Sequence, residues 1–225
     1  MQSASPGARA FEQGLRVANI FPYRVRFTKR GRLRFLSHHD LQRLFERALR
    51  RTELPLRFSE GFNPHPLIAF PTALGLGIES DDEIVEFELS SWFAPKAIQE
   101  RLGAQMPEGC AVTSVDVFLR KDRSFIDYVE YEAVSPGQTG GLRAKINEFI
   151  AKKECVVERK SDKGVRDIEV RQYVMALDVE GEKVLMRIRV TDSGTAKPDE
   201  VLRAVGIEIR ADVRIKKTYT EVGVR

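Results

Sequence analysis

Residues 24–66 read RVRFTKRGRLRFLSHHDLQRLFERALRRTELPLRFSEGFNPHP and combine a basic strand, a helix and a loop stiffened by prolines. All three histidines of the chain lie in this stretch. Residues 24–57 contain 11 Lys/Arg against 3 Asp/Glu, a local charge of +8 in a chain whose net charge is +4. Because a local field of this kind does not help a chain to fold, it indicates a polyanionic partner.

The first part of the stretch alternates apolar residues with arginines, which is the period of strands that bury one face. The apolar members are Tyr23, Val25, Phe27, Leu33 and Phe35. The arginines between them are Arg24, Arg26, Arg32 and Arg34. The pattern predicts two strands, joined by a turn at residues 29–31, whose arginines lie on one exposed side.

A helix is predicted to follow at Ser37, because Ser37 and Asp40 have the spacing of a capping box. The apolar residues after it recur at helical spacing and form one stripe, Leu41, Leu44, Phe45, Ala48 and Leu49. The remaining faces carry Arg43, Arg47, Arg50 and Arg51. Arginines on a strand face and along one helix suit a phosphate backbone.

Outside this stretch the chain continues with further strands and helices. Residues 79–88 contain six acidic residues and no basic one, and their alternation predicts a strand with an acidic outer face. The element order in the first half is strand, helix, strand, strand, helix, strand. The same order follows in the second half if residues 155–179, with strands at 155–159 and 167–179, form one meandering strand.

We therefore predict an α+β protein of two tandem ferredoxin-like (split βαβ) domains with antiparallel sheets. The first domain is expected at residues 23–120 and the second at residues 128–218. Residues 1–22 are expected to be a flexible leader, and the charged residues 120–127 to link the domains.

Composition limits the location and the cofactors. No apolar run approaches the roughly 20 residues that span a bilayer, and the start lacks the apolar core of a secretory signal. We therefore expect a cytoplasmic protein without membrane contact. Cys110 and Cys155 stand alone without a CxxC motif, so no iron–sulfur cluster, metal or other cofactor is predicted.

The histidines are the candidates for catalysis. His38 and His39 lie at the helix amino terminus, and His65 is flanked by two prolines. Should the loop fold back, His38 and His65, with Asp40 or Ser59 nearby, could cleave RNA without a metal by general acid–base chemistry. The alternatives are capping and packing roles for the histidines, or a metal site, for which no H-E-x-x-H spacing exists.

The motifs LRFLSHHD and GFNPHP, continued by Phe70-Pro71 and by LGLG at residues 74–77, resemble a radical SAM-associated family also called domain of unknown function 2344. Members of that family are encoded beside, or fused to, a radical SAM protein with a cobalamin-binding type domain. The resemblance covers residues 23–89 closely and implies an accessory role to that enzyme. The motif positions present are Arg34, Ser37, His38, Asp40, Arg47, Arg50, Ser59, Asn63 and His65. His39 occupies the variable position of the first motif, which favours His38 as the functional histidine.

The tandem order also resembles the repeat-cleaving endoribonucleases of CRISPR systems. Those enzymes carry a glycine-rich loop near the end of the chain. The corresponding loop here, residues 191–196, reads TDSGTA and is not markedly rich in glycine. The resemblance is one of architecture, and a fold alone does not carry a function.

From these patterns we expect an accessory partner of a separately encoded radical SAM protein that binds or presents RNA, rather than an enzyme. The predicted RNA-binding residues are Arg24, Arg26, Arg32, Arg34, Arg43, Arg47 and Arg50. The predicted motif pocket consists of Ser37, His38, Asp40, Ser59, Asn63 and His65. Two alternatives remain, a metal-independent endoribonuclease using His38 and His65, and a scaffold that docks its partner through the acidic strand at residues 83–88.

Overall fold

The structure, a computed structural model, describes residues 20–118, 125–138, 140–161 and 164–223. The described chain divides into two compact units. Unit 1 comprises residues 20–73 and 83–118 with Phe125, and unit 2 comprises residues 74–82 and the described residues from 126 to 223. Most of the leader predicted at residues 1–22 and most of the linker predicted at residues 120–127 lie outside the described residues.

The α+β class is confirmed, since the described residues form mostly antiparallel strands and four α-helices. Unit 1 contains β1 (Phe21–Lys29), a 3-10 helix (Gly31–Phe35), α1 (His38–Arg51), β2 (Ile68–Ala69), β3 (Glu79–Leu89), α2 (Pro95–Gly103) and β4 (Val112–Val117). β3 begins in unit 2 and continues in unit 1 from Glu83. The strand order in unit 1 is β4-β1-β3-β2.

The core of unit 1 follows from the two periodicities of the sequence. Tyr23, Val25 and Phe27 of β1 are fully buried, as their alternation predicts. The apolar stripe of α1 is buried beside them, and the rings of Phe27 and Phe45 lie 4.6 Å apart between centroids. Burial of these side chains fixes which face of α1 remains exposed to solvent.

The second arginine-rich strand is a wrong prediction, because residues 31–35 form a 3-10 helix. Gly31 has a φ of +60°, a conformation that glycine adopts at little cost and that starts the turn. The amide of Leu36 then donates to the carbonyl of Leu33 at 2.9 Å. Lys29 stabilises the carboxyl end of this 3-10 helix, since its Nζ donates to the carbonyl of Leu36 at 2.9 Å.

The acidic outer face predicted for residues 79–88 is also wrong. Glu83, Glu86 and Glu88 of β3 are buried, with 1%, 7% and 5% of their surface exposed. Glu86 accepts from Arg24 of β1 at 2.9 Å, and Glu88 from Arg57 at 3.2 Å. Because all three carboxylates are buried, and Glu86 and Glu88 pair with arginines of unit 1, they do not form the exposed docking edge that the scaffold alternative requires.

Unit 2 contains β5 (Phe125–Val134), which belongs to it from Ile126 onward. It also contains α3 (Leu142–Ala151), β6 (Val156–Ser161), β7 (Gly164–Glu169), a second 3-10 helix (Arg171–Tyr173), β8 (Val174–Glu180), β9 (Lys183–Thr191), β10 (Gly194–Thr195), α4 (Pro198–Ala204) and β11 (Arg214–Gly223). Its strands follow the order β10-β9-β5-β11, with β8 also paired to β9. β11 pairs in parallel with Glu79 and Ser80 at the start of β3.

The meandering strand predicted at residues 155–179 is replaced by a separate hairpin of β6 and β7, the second 3-10 helix and β8. The carboxylate of Glu169 explains the break between β7 and β8. It accepts from the amides of Arg171 and Gln172, both at 2.8 Å, and so turns the backbone out of the strand.

None of the described helices is both long enough and apolar enough to cross a membrane.

Candidate nucleic-acid interface

Helix α1 carries three arginines, Arg43, Arg47 and Arg50, on its exposed side, and we call them the arginine stripe. Successive helical residues are about 100° apart, so these three lie within about 60° of one another around the helix axis. The stripe faces away from the buried residues of α1, such as Phe45. Arg43 and Arg47 form no salt bridge with any of the described residues. Their charge is therefore available to a ligand.

The amino terminus of α1 is fixed by its predicted cap. Asp40 donates its amide to Ser37 Oγ at 3.2 Å, and Ser37 Oγ donates to the Asp40 carboxylate at 2.7 Å. The hydrogen bond from the Ser37 side chain lowers the pKa of Asp40 below its ordinary value, and the nearby charges of Arg43 and His39 act in the same direction. Asp40 thus remains a carboxylate bound to the helix end.

Replacing Ser37 by alanine removes this cap, and we expect the free energy of unfolding to fall by about 1 kcal/mol. The pKa of Asp40 should rise at the same time, because its largest lowering interaction is lost. Urea denaturation and an NMR titration of the Asp40 carboxyl measure the two effects. Ser91→Ala, at an exposed serine outside the helices, is the control. An unchanged Asp40 pKa would contradict the assignment of the cap.

A loop at residues 58–66 contains the whole GFNPHP motif. Its two ends are tied together, because the Ser59 amide donates to the His65 carbonyl at 2.8 Å and the His65 amide donates to Ser59 Oγ at 3.0 Å. Phe58 and Pro66 also form a β-bridge. Phe62 lies between these ends and is fully exposed, at 106% of its reference surface. The loop is a closed structure that presents a phenylalanine ring to solvent.

The arginine stripe and this loop are adjacent. The Arg50 guanidinium lies over the ring of Phe58, 5.3 Å from its centroid. Phe58 itself is 40% exposed. Together Arg43, Arg47, Arg50, Phe58 and Phe62 form what we call the Arg–Phe surface. Stacked arginine and aromatic groups of this kind bind bases and phosphates together.

The other predicted arginines lie elsewhere in unit 1. Arg24 pairs with Glu86 and lies 4.6 Å from the ring centroid of Phe118, and Arg26 is half-buried. Arg32 and Arg34 belong to the first 3-10 helix, where the Arg34 guanidinium lies 4.6 Å from the centroid of the exposed Phe35 ring. Of the seven predicted arginines, Arg50 contacts the 58–66 loop, through the ring of Phe58.

Burial changes the local charge that the sequence suggests. Lys29 is 2% exposed, and burial lowers the pKa of its ammonium group, while the charge of Glu83 opposes this shift. Arg24 and Arg57 are bound by Glu86 and Glu88. Three carboxylates of β3 thus offset three of the cations between residues 24 and 57. The remaining positive charge concentrates on α1 and the first 3-10 helix.

The histidines occupy different surroundings. The ring of His38 contacts Phe70 edge-on, with centroids 5.5 Å apart, and lies 6.0 Å from the His39 ring. Both rings are exposed, and His39 lies beside the arginine stripe. His65 is exposed at the base of its loop. Within the described part of the chain no hydrogen bond or ring contact joins His38 to His65. The two-histidine nuclease stays a prediction, and so does the motif pocket with Asn63.

Metal and thiol chemistry have few candidate groups. No cluster of three His, Cys, Asp or Glu side chains that could hold a metal ion occurs among the described residues. Burial raises the pKa of the Cys110 thiol to about 12, so Cys110 is not a thiolate near neutral pH. Cys155 is half-buried and is likewise a free cysteine.

Sequence reasoning did not select the phenylalanines of the Arg–Phe surface. Phe62 stands between Gly61 and Asn63 in a loop rich in proline and glycine, where a large apolar side chain has no core to join. That placement in the sequence is the signal that could have identified Phe62 as an exposed ring. Phe58 gives no such signal, because it alternates like a residue of a buried strand.

Comparison with known proteins identifies the family of this chain. None of the curated proteins matches it. Residues 22–198 match the family described as "uncharacterized protein conserved in bacteria (DUF2344)". Since this match covers more than half of the chain, the protein belongs to that family.

Proposed function

We propose that the protein binds single-stranded RNA through the Arg–Phe surface of unit 1. The observation that carries the proposal is the contact of Arg50 with Phe58, which connects a row of cations to the loop that exposes Phe62. Cations follow a nucleic-acid backbone, and exposed aromatic rings stack on bases that are not paired. A double helix would keep its bases away from both phenylalanines, so a single strand fits this surface better.

The resemblance described above supports the biological setting of this binding. It implies an accessory protein beside a separately encoded radical SAM enzyme. We propose that the protein presents RNA to that enzyme in the cytoplasm and does not itself react with the RNA. Co-purification of both proteins with RNA, and release of the RNA from a variant altered in the Arg–Phe surface, is the corresponding test.

The proposal extends to the fold of the two units. The order β4-β1-β3-β2 in unit 1 supports a ferredoxin-like arrangement, with β2 reduced to two residues. In unit 2 the order β11-β5-β9-β8, with α3 and α4 between the strands along the chain, supports the same arrangement with the β6–β7 hairpin inserted.

Phe62→Ala tests the stacking directly. Because loss of one stacked base is worth about 1–3 kcal/mol, we expect the affinity for a short uridine-rich RNA to fall roughly 5- to 150-fold. The free energy of unfolding should change by no more than about 0.5 kcal/mol, since the ring has no core contact. Fluorescence anisotropy and urea denaturation measure the two quantities.

Trp92→Ala is the matched control, because Trp92 is an exposed aromatic residue outside the Arg–Phe surface. RNA affinity should be unchanged in that variant. If the wild-type protein binds no RNA at about 50 mM salt, where such binding is strongest, the proposed function is wrong. If Phe62→Ala and Trp92→Ala weaken binding equally, the Arg–Phe surface is not the site.

A further inference from the structure

Unit 2 contains an open cavity of about 490 Å³ where α3 ends and the second 3-10 helix begins. Four cations line it, Lys152, Lys153, Arg171 and Arg189. Within the described residues no aspartate or glutamate lines the same cavity. We call it the basic cavity. Such a one-sided charge distribution focuses a positive potential in the concavity.

The charge of Arg171 is held in a fixed position by the backbone. Its Nε and Nη2 each donate to the carbonyl of Ile150 at 3.2 Å, and its Nη1 donates to the carbonyl of Val174 at 3.0 Å. The Ile150 carbonyl belongs to the last turn of α3, where cations are favourable. Arg171 therefore already provides the stabilisation that the end of this helix needs.

The other cations are not explained by that role. Lys153 and Arg189 are exposed and form no salt bridge with the described residues. Lys152 pairs with Glu148 at 2.9 Å, through side chains that are both largely exposed. An exposed ion pair of this kind contributes little to stability, so Lys152 can readily exchange Glu148 for an anion of higher charge. The basic cavity thus has positive charge in excess of its own carboxylates.

We propose that the basic cavity binds the phosphates of a nucleotide. Its volume lies in the range of small-molecule sites, and several phosphoryl oxygens match several cations better than a single carboxylate does. Met175, which is 41% exposed, adds an apolar wall against which a sugar or base can pack. The inference goes beyond the proposed function, since it gives unit 2 a ligand site of its own.

The nucleotide can be free or part of an RNA chain, because both carry the same phosphate chemistry. Isothermal titration calorimetry with ATP, and separately with a short RNA, distinguishes the two sources. The test variant is Lys153→Glu/Arg189→Glu, which leaves the backbone-bound Arg171 in place. The control is Lys145→Glu/Arg214→Glu, an equal charge change at two exposed residues of unit 2 outside the cavity.

We expect the test variant to lose at least about tenfold in affinity for ATP, since hydrogen bonds to charged groups are worth about 1.5–3 kcal/mol each. The control variant should bind ATP like the wild type. If wild-type protein does not bind ATP, the same loss must be seen with RNA, and that result assigns the cavity to RNA phosphates. Equal losses in both variants, or no loss with either ligand, overturn the proposal.

Repeating the titrations with Arg43→Glu/Arg47→Glu protein separates this site from the Arg–Phe surface. This variant should bind ATP like the wild type, whatever its affinity for RNA. Failure of the proposed function would then appear as an absence of RNA binding with the ATP result intact. Failure of the present inference would appear as ATP and RNA affinities that do not depend on Lys153 and Arg189. Thermal unfolding of each variant without ligand confirms that it is folded.

Discussion

Arg43→Glu/Arg47→Glu protein should bind single-stranded RNA about 100-fold more weakly than the wild type at about 50–100 mM salt. Each charge-assisted contact is worth roughly tenfold or more, and each glutamate adds repulsion of the phosphates. Both residues are exposed on α1 and form no salt bridge among the described residues, so their replacement should not disturb packing. Fluorescence anisotropy at several salt concentrations measures the effect.

The salt dependence of RNA affinity distinguishes lost phosphate contacts from other causes of weaker binding. For single strands the slope of log K against log salt is about 0.7 per phosphate contact, so two lost contacts should reduce it by about 1.4. Lys96→Glu/Arg101→Glu, an equal charge change on the exposed side of α2, is the control. The prediction fails if the control loses as much affinity, or if the slope of the test variant equals that of the wild type.

Glu200→Ala is expected to destabilise the protein by about 3–5 kcal/mol, the largest effect on stability predicted here. The Arg159 Nε and Nη2 donate to the two carboxylate oxygens of Glu200, both at 2.6 Å. The side chains are 11% and 1% exposed. Removing the carboxylate leaves a guanidinium group with little access to water. Urea denaturation, followed by circular dichroism, measures the loss.

A double variant separates a lone buried charge from lost packing. Arg159→Met/Glu200→Leu removes both charges and keeps apolar volume, so it should retain much more stability than Glu200→Ala. The amide of Lys197 loses its 2.8 Å hydrogen bond to Glu200 in both variants, so this loss does not contribute to the difference in stability between them. Equal destabilisation of the two variants would show that the buried charge of Arg159 is not the cause.

The same carboxylate gives stability a pH dependence. Burial opposes ionisation of Glu200, but hydrogen bonds from Arg159 and from the Lys197 amide outweigh burial and lower its pKa below the ordinary 4.5. The stabilisation is therefore complete above about pH 4.5 and is lost as the pH falls through the lower pKa of the folded state. The double variant lacks this contribution, so its stability should fall less steeply in acid.

Local patterns in the chain were sufficient for the elements that depend on neighbours in sequence. The alternation around Val25 places β1, and the apolar stripe ending at Leu49 places α1, because burial of one face follows directly from each period. Ser37 acts as the predicted helix cap for the same reason, since its partner Asp40 is three residues away. The positive charge of α1 could also be read from sequence alone.

Long-range pairing was not visible in those patterns. Arg24 meets Glu86 across 62 residues and Arg57 meets Glu88 across 31, and the pairs form because β1, β3 and the residues after α1 become neighbours in unit 1. A count of charges along the chain cannot include a carboxylate that arrives from another strand. The count therefore overestimated the positive charge near Arg24.

The amino-acid order thus settled the secondary structure of α1 and β1 and the sign of the charge around them, because periodicity and capping act over a few residues. Folding settled which cations remain exposed, since sheet order brings Glu83, Glu86 and Glu88 to only some of them. It also placed Phe58 under Arg50, and left Phe62 without a core contact. Contacts between distant segments are set by how strands are ordered and loops are closed, and no local period specifies either.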